Sequence, residues 1–242
     1  MKRVFIFFLL CISISLAETI NVLAAANLSK VLEEIKKNYL KNHKKEQINI
    51  TYMSSGKAFA QLKNQIPVSL FVSADTFYPQ RLFEEHLTQK PKIYAQGVLV
   101  LWSKTLPIHN LQSLTNQKIK NIALPNPDLA PYGRAAKEAL NKKNLSNEID
   151  DKIRQATSVS QAHQWVENGD CEVGFGALSL LNTKDGHTSF IKVDPKLYAP
   201  IQQALAITNF GKNSPLTRDF ADFILQSKQT FKKYGYLIPQ EK

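Results

Sequence analysis

Ile48-Asn49-Ile50-Thr51-Tyr52-Met53-Ser54-Ser55-Gly56-Lys57 is the stretch whose reading decides the fold. Residues 48–53 alternate apolar and polar side chains, as a half-buried strand does. Beyond it, Ala58, Phe59, Leu62 and Ile66 fall at helical spacing. Two serines and a glycine therefore stand where a strand turns into a helix. The first N–H groups of a helix have no intrahelical acceptor, and the positive end of its dipole lies there. Hydroxyls and bare N–H groups at such a start suit a bound anion. The same residues also read as an ordinary serine N-cap.

The pattern recurs on both sides. Thr19 to Ala26 reads as a buried strand ending in small residues. Asn27 follows, then a helix with the stripe Leu28, Val31, Leu32, Ile35 and Tyr39, which Asn27 or Ser29 would cap. After Pro67, residues 68–74 form another strand, and Asp75 can cap a helix carrying Tyr78, Leu82 and Phe83. The order β-α-β-α-β-α marks a parallel sheet with flanking helices. Ile93 to Trp102 reads as a strand, strongest from Val98.

A second series starts at the short strand Ile122-Ala123-Leu124. The proline-rich loop 125–133 leads to a helix over 135–141, with Pro131 pinning the approach to Tyr132-Gly133. Residues 156–160 precede a helix bearing Ala162, Trp165 and Val166, which Gly169-Asp170 ends. Val173 to Leu178 is a strand whose two glycines imply close approach by another backbone or a ligand. Leu205 to Thr208 is a late strand, and Ser214 caps the last helices, with Phe220, Phe223, Ile224 and Phe231 inward.

The strand-to-helix junctions split two and two, with Asn27 and Ser55 in the first series and Tyr132 and Val159 in the second. Ligands of open α/β sheets bind beyond the C-terminal ends of strands. Two such sheets facing each other would set four helix starts around one cleft, as in a hinged binding protein. The expected fold is α/β and two-lobed, each lobe a mainly parallel sheet flanked by helices. Residues 18–98 with 205–242 form the first lobe and 99–204 the second, hinged near Val100 and Ala206.

Met1-Lys2-Arg3, an apolar run from Val4 to Leu16, and Ser15 and Ala17 read as a secretory leader over residues 1–17. The run is short for a membrane span. Cys11 follows Leu10 rather than a small residue, so a lipid-anchored form is not expected. Losing Lys2 and Arg3 lowers the net charge from +11 to +9. The lysine pairs 36–37, 44–45, 142–143 and 232–233 read as solvated helix faces. No aromatic-interleaved basic stripe points to nucleic acid. Cys171 alone remains after leader removal, so stability rests on packing. The five histidines are scattered, without metal-ligand spacing.

Ala24-Ala25-Ala26-Asn27-Leu28, Ser54-Ser55-Gly56, Phe71-Val72-Ser73-Ala74-Asp75, Tyr94-Ala95, Gly133 to Leu140 and Lys233-Tyr234-Gly235-Tyr236 together resemble the periplasmic molybdate-binding proteins of ABC importers. These have the type II periplasmic binding protein fold, and the matches span nearly the whole chain after the leader. The resemblance implies a periplasmic monomer that captures molybdate, and tungstate, for an ABC permease in the inner membrane, with no cofactor. It implies that Ser55 gives hydroxyl and N–H, Asn27 its amide and backbone, and Tyr132 and Val159 backbone N–H groups. The metal would be held only through its oxygens, without direct protein ligands. Where many members carry a ligand-binding tyrosine this chain has Ala177; the pair Asn27 and Tyr132 resembles one branch of the family. Val68-Ser69 replaces the family's usual Ala-Asp.

A site made only of donors favours an anion without a proton, such as molybdate, tungstate or sulfate. Hydrogen phosphate would want an acceptor, and Asp75 and Asp128 are expected to cap helices instead. Sulfate would be excluded by cavity size. The alternatives are another oxyanion such as sulfate, a ferric ion, or a serine hydrolase using Ser54 and Lys57 of the Ser-x-x-Lys pattern. That last signature also needs Ser-Asp-Asn and Lys-Thr-Gly, and the chain has neither.

Overall fold

The computed structural model describes residues 17–183 and 188–239. The expected leader lies outside them except for Ala17.

The first β-α series forms as its periodicity dictates. β1 (Thr19–Ala25) is followed by α1 (Ser29–Leu40), β2 (Gln47–Met53), α2 (Ser55–Lys63), β3 (Leu70–Val72) and α3 (Phe77–Glu84). The stripe of α1 buries Val31, Leu32, Ile35 and Tyr39. Truncating a buried residue such as Ile35 to alanine would cost about 2–5 kcal/mol. Leu28 rather than Asn27 occupies the N-cap position of α1, and no side chain caps it. The expected Asn27 or Ser29 cap is absent because a short 3₁₀ turn, Ala26–Leu28, intervenes and Asn27 is engaged elsewhere.

The expected strand 93–102 is two strands, β4 (Lys92–Gly97) and β5 (Leu99–Ser103). They belong to different sheets, so the chain crosses between lobes at Val98. The second series contains β6 (Ile122–Pro125), α4 (Pro131–Lys142), β7 (Ile153–Ala156), α5 (Val159–Asn168), β8 (Val173–Ala177) and β9 (Ser189–Lys192). α4 starts four residues before the expected Ala135, because Pro131 takes its first position, where the missing N–H costs nothing. The chain then returns through β10 (Ile201–Ile207) and ends in α6 (Pro215–Gln226) and α7 (Lys228–Lys233).

The sheets have the orders β2-β1-β3-β10-β4 and β7-β6-β8-β5-β9. In each, one strand opposes the rest: β10 is antiparallel to β3 and β4, and β5 to β8 and β9. Both opposed strands are the first after a crossing between the sheets. The division expected between residues 204 and 205 falls inside β10, and Val100 and Ala206 each sit within a sheet. The second crossing precedes Ile201, because β10 bonds to β4 from that residue onward.

Gly169 closes α5 in the left-handed conformation (φ 84°). The β8 glycine Gly174 is met by the Val166 and Ala123 side chains rather than by a ligand. It lets α5 lie close to the sheet. Ser214 caps α6 by accepting the Thr217 N–H at 2.9 Å. Apolar side chains from both lobes join one core cluster, including Leu28, Tyr94, Tyr132, Ala136 and Phe231.

Candidate functional site

The four candidate residues lie at the starts of helical segments on the facing sides of the lobes. All are buried: Asn27 is 0% exposed, Ser55 1%, Tyr132 1% and Val159 4%. Ser55 is the first residue of α2. Its Oγ accepts the Ala74 N–H at 3.0 Å, so its own proton remains to be given. Val159 opens α5, and Tyr132 follows Pro131 in α4. Backbone N–H groups this early in a helix precede its first i→i−4 bond.

Direct contacts hold the lobes together around these residues. Gly56 donates its N–H to the Leu129 carbonyl at 2.9 Å. A Cβ at Gly56 would come within 2.7 Å of the Tyr78 hydroxyl and 3.0 Å of the Leu129 backbone, so glycine permits that approach. Ser160 donates to the Ala26 carbonyl, Ser179 to that of Asn27, and Tyr78 to that of Asp128, each at 2.9 Å. Arg134 of α4 pairs with the Asp75 carboxylate of the first lobe. Burial raises the Asp75 carboxyl above its usual range, outweighing the opposing Arg134 charge and hydrogen bonds.

Asp75 also accepts the Tyr78 N–H at 3.3 Å near the start of α3, but it is not the expected cap: Thr76 holds the N-cap position, without a side-chain bond. Asp128 caps nothing: it is exposed, and α4 has Ala130 at its N-cap without a side-chain bond. Ser54 and Lys57 are not brought together. Ser54 is buried, its hydroxyl without a partner, while Lys57 is exposed. Tyr234 bonds Glu34 and Tyr236 bonds Asn27, so the two do not come together as the paired tyrosines that a ferric site wants. Among the described residues no group of three or more His, Cys, Asp and Glu could hold a metal ion.

Behind Asn27 lies a polar cluster that the sequence did not reveal. Its Nδ2 donates to Gln203 Oε1 at 3.1 Å and to the Tyr236 hydroxyl at 2.9 Å. Its Oδ1 is buried and unpartnered. Gln203, fully buried on β10, also meets the Tyr94 hydroxyl at 2.9 Å through Oε1 and donates from Nε2 to the Tyr132 hydroxyl at 3.1 Å. The Tyr132 ring thus reaches into the first lobe, where the bare face of Gly97 admits it. Burial pushes Tyr94, Tyr132 and Tyr236 well above the ordinary phenol range, so all three stay neutral. The signal available for Gln203 was a glutamine inside a strand otherwise rich in buried apolar residues; Tyr94 and Tyr236 read only as parts of motifs.

The sequence pattern of the bacterial extracellular solute-binding proteins matches residues 20–237. The chain belongs to this family. Molybdate-binding protein ModA of Azotobacter vinelandii is 33% identical over 231 residues, covering 91% of this chain and 90% of the relative. ModA of Rhodobacter capsulatus is 29% identical, covering 78% and 77%. Among solved structures, the periplasmic molybdate-binding protein of A. vinelandii superposes with a TM-score of 0.85 at 28% identity, covering 91% of this chain and all of that one. The sulfate-binding protein SubI of Mycobacterium tuberculosis (14% identity, TM-score 0.74, covering 90% and 86%) shares the fold. These findings agree with the two-lobed expectation. They make the family one of solute binding outside the cytoplasm. Among the described residues no helix is long and apolar enough to cross a membrane.

Proposed function

We propose that this protein captures molybdate, and tungstate with it, between its lobes in the periplasm and delivers it to the permease of an ABC importer. The observation that carries the reading is the burial of four helix-start residues, two from each lobe, at one closed interface. Molybdate-binding relatives that align over most of the chain support it. Asn27, Ser55, Tyr132 and Val159 are the residues assigned to the oxyanion. Ser55 supplies a hydroxyl and a backbone N–H. Tyr132 and Val159 supply backbone N–H groups from the second lobe.

Each hydrogen bond to a charged group contributes about 1.5–3 kcal/mol. About six or seven would match nanomolar binding, about −12 kcal/mol, once association and lobe closure are deducted. The lobes hinge at Val98 and in the segment between Lys192 and Ile201, where the chain changes sheets. The leader over residues 1–17 exports the protein, which works as a monomer.

Calorimetric titration of leaderless protein with molybdate, tungstate, sulfate and phosphate tests this. The expected result is one-to-one binding of molybdate and tungstate, with sulfate and phosphate far weaker. Preference for sulfate or phosphate, or no heat with molybdate, refutes it.

A further inference from the structure

As oriented, the amides behind Asn27 set acceptor against acceptor. The Tyr94 hydroxyl lies 2.7 Å from the Ser73 carbonyl and 2.9 Å from Gln203 Oε1. One proton cannot satisfy both oxygens. Asn27 Oδ1, buried and unpartnered, leaves a further acceptor unserved. A buried polar atom without a partner costs about 1–3 kcal/mol.

A half-turn of both amides removes both faults together. Gln203 Nε2 then donates to the Tyr94 oxygen and to Asn27 Oδ1, and Tyr94 gives its proton to Ser73 alone. Gln203 Oε1 receives the Tyr132 proton. Tyr236 donates to Asn27 Oδ1, while Ser179 holds the Asn27 carbonyl at 2.9 Å. Every proton has one acceptor, and the only group left over is Asn27 Nδ2, a donor where Oδ1 had been. The two amides must turn as a pair, since a half-turn of either alone sets like groups face to face across their 3.1 Å contact.

We propose that Gln203 is the positioning residue of the site: it holds Asn27 with its Nδ2 toward the bound anion, and so makes the site selective for oxyanions that carry no proton. The proposal rests on the oxyanion-binding reading above. Gln203 touches no anion itself. It acts through Asn27, with Tyr94 and the Ser73 carbonyl of the first lobe on one side and Tyr132 of the second on the other. Its place on β10, at the register shift between Gln203 and Ala204, turns it out of the ordinary ladder toward these groups.

The test compares Gln203→Glu and Gln203→Met with the wild-type protein, titrating each with molybdate and with phosphate at pH 8. A glutamate here accepts from Tyr94, Tyr132 and Asn27, bonds that hold it ionised. It then forces Asn27 Nδ2 inward and Oδ1 toward the anion. Molybdate affinity is expected to fall about 30-fold, the loss of one hydrogen bond to a charged group. Phosphate, whose remaining proton can be given to Oδ1, is expected to hold its affinity or gain. The methionine variant, which keeps the volume and loses the bonds, is expected to lose about 10-fold for molybdate and less for phosphate. It serves alone if the glutamate variant does not fold.

Unchanged molybdate affinity in a folded variant overturns the proposal. So does an equal loss for both anions, which would be a packing effect. Either result, with wild-type binding intact, leaves the oxyanion reading standing. Wild-type silence toward molybdate overturns that reading, and this proposal with it.

Discussion

Ser54 in the first lobe and Ser158 in the second hold the same position, N-cap of a helix that follows a strand, and use it differently. Ser158 accepts the Gln161 N–H at 3.2 Å and caps α5 in the ordinary way. Ser54 caps nothing, and its hydroxyl is buried without a partner. The contrast extends to the neighbouring junctions. In the second lobe, Pro131 preorganises α4, so both starts are locally secured and offer backbone N–H groups. In the first, Asn27 and Ser55 spend their side chains on tertiary partners, and neither α1 nor α2 has a side-chain cap. The first lobe gives up local helix stability to place polar side chains at the interface. The second supplies a firm wall of helix ends.

The comparison breaks most readily at Ser55. Ser55→Ala is expected to weaken molybdate binding about 10- to 100-fold while leaving the fold intact, measured by calorimetry. A loss of under threefold would remove the first lobe's side chains from the account.

The second lobe has its own pH limit. Burial pushes His163 of α5 down to about 4 from an ordinary 6.5. Between these values the unfolded chain takes up a proton that the folded protein refuses, so the unfolded state binds more protons. Stability therefore falls as pH is lowered from about 6.5 toward 4. Thermal melts should show this slope, and His163→Asn should flatten it.

Asp75→Asn tests what joins the unlike lobes. It leaves Arg134 without its anionic partner, and about a tenfold loss of molybdate affinity is expected, because the closed arrangement is weakened. Ser158→Ala should lower stability by about 1 kcal/mol, the usual cost of a lost cap, with little change in affinity. Ser54→Ala should cost no stability and can raise it, since it removes a buried hydroxyl without a partner. Paired melts of the last two variants compare the two caps directly; equal destabilisation would erase the difference.

Much of this was legible in the sequence. The alternation of 48–53, the stripe of α1 and the cap at Ser214 are local facts, because side-chain periodicity and capping chemistry act within a few residues. Asn27, Ser55, Tyr132 and Val159 are all buried at their junctions. The lobe division expected after residue 98 falls where the chain does change sheets, but the split into two strands there was not legible, since Ile93 to Trp102 is uniformly strand-like and only pairing partners separate β4 from β5. The start of β10 was missed for the same reason: its first residues declare their sheet only by bonding to β4.

The sequence by itself determined the two β-α series, the order of their junctions and the polar groups available at each one. The tertiary structure decided what those donors face. Asn27, Tyr94, Tyr132, Gln203 and Tyr236 lie far apart along the chain and meet only because β10 recrosses into the first sheet between β3 and β4. Periodicity and capping report on neighbours in sequence, whereas a buried hydrogen-bond network is set by which strands pair, and that choice minimises the free energy of the whole chain at once.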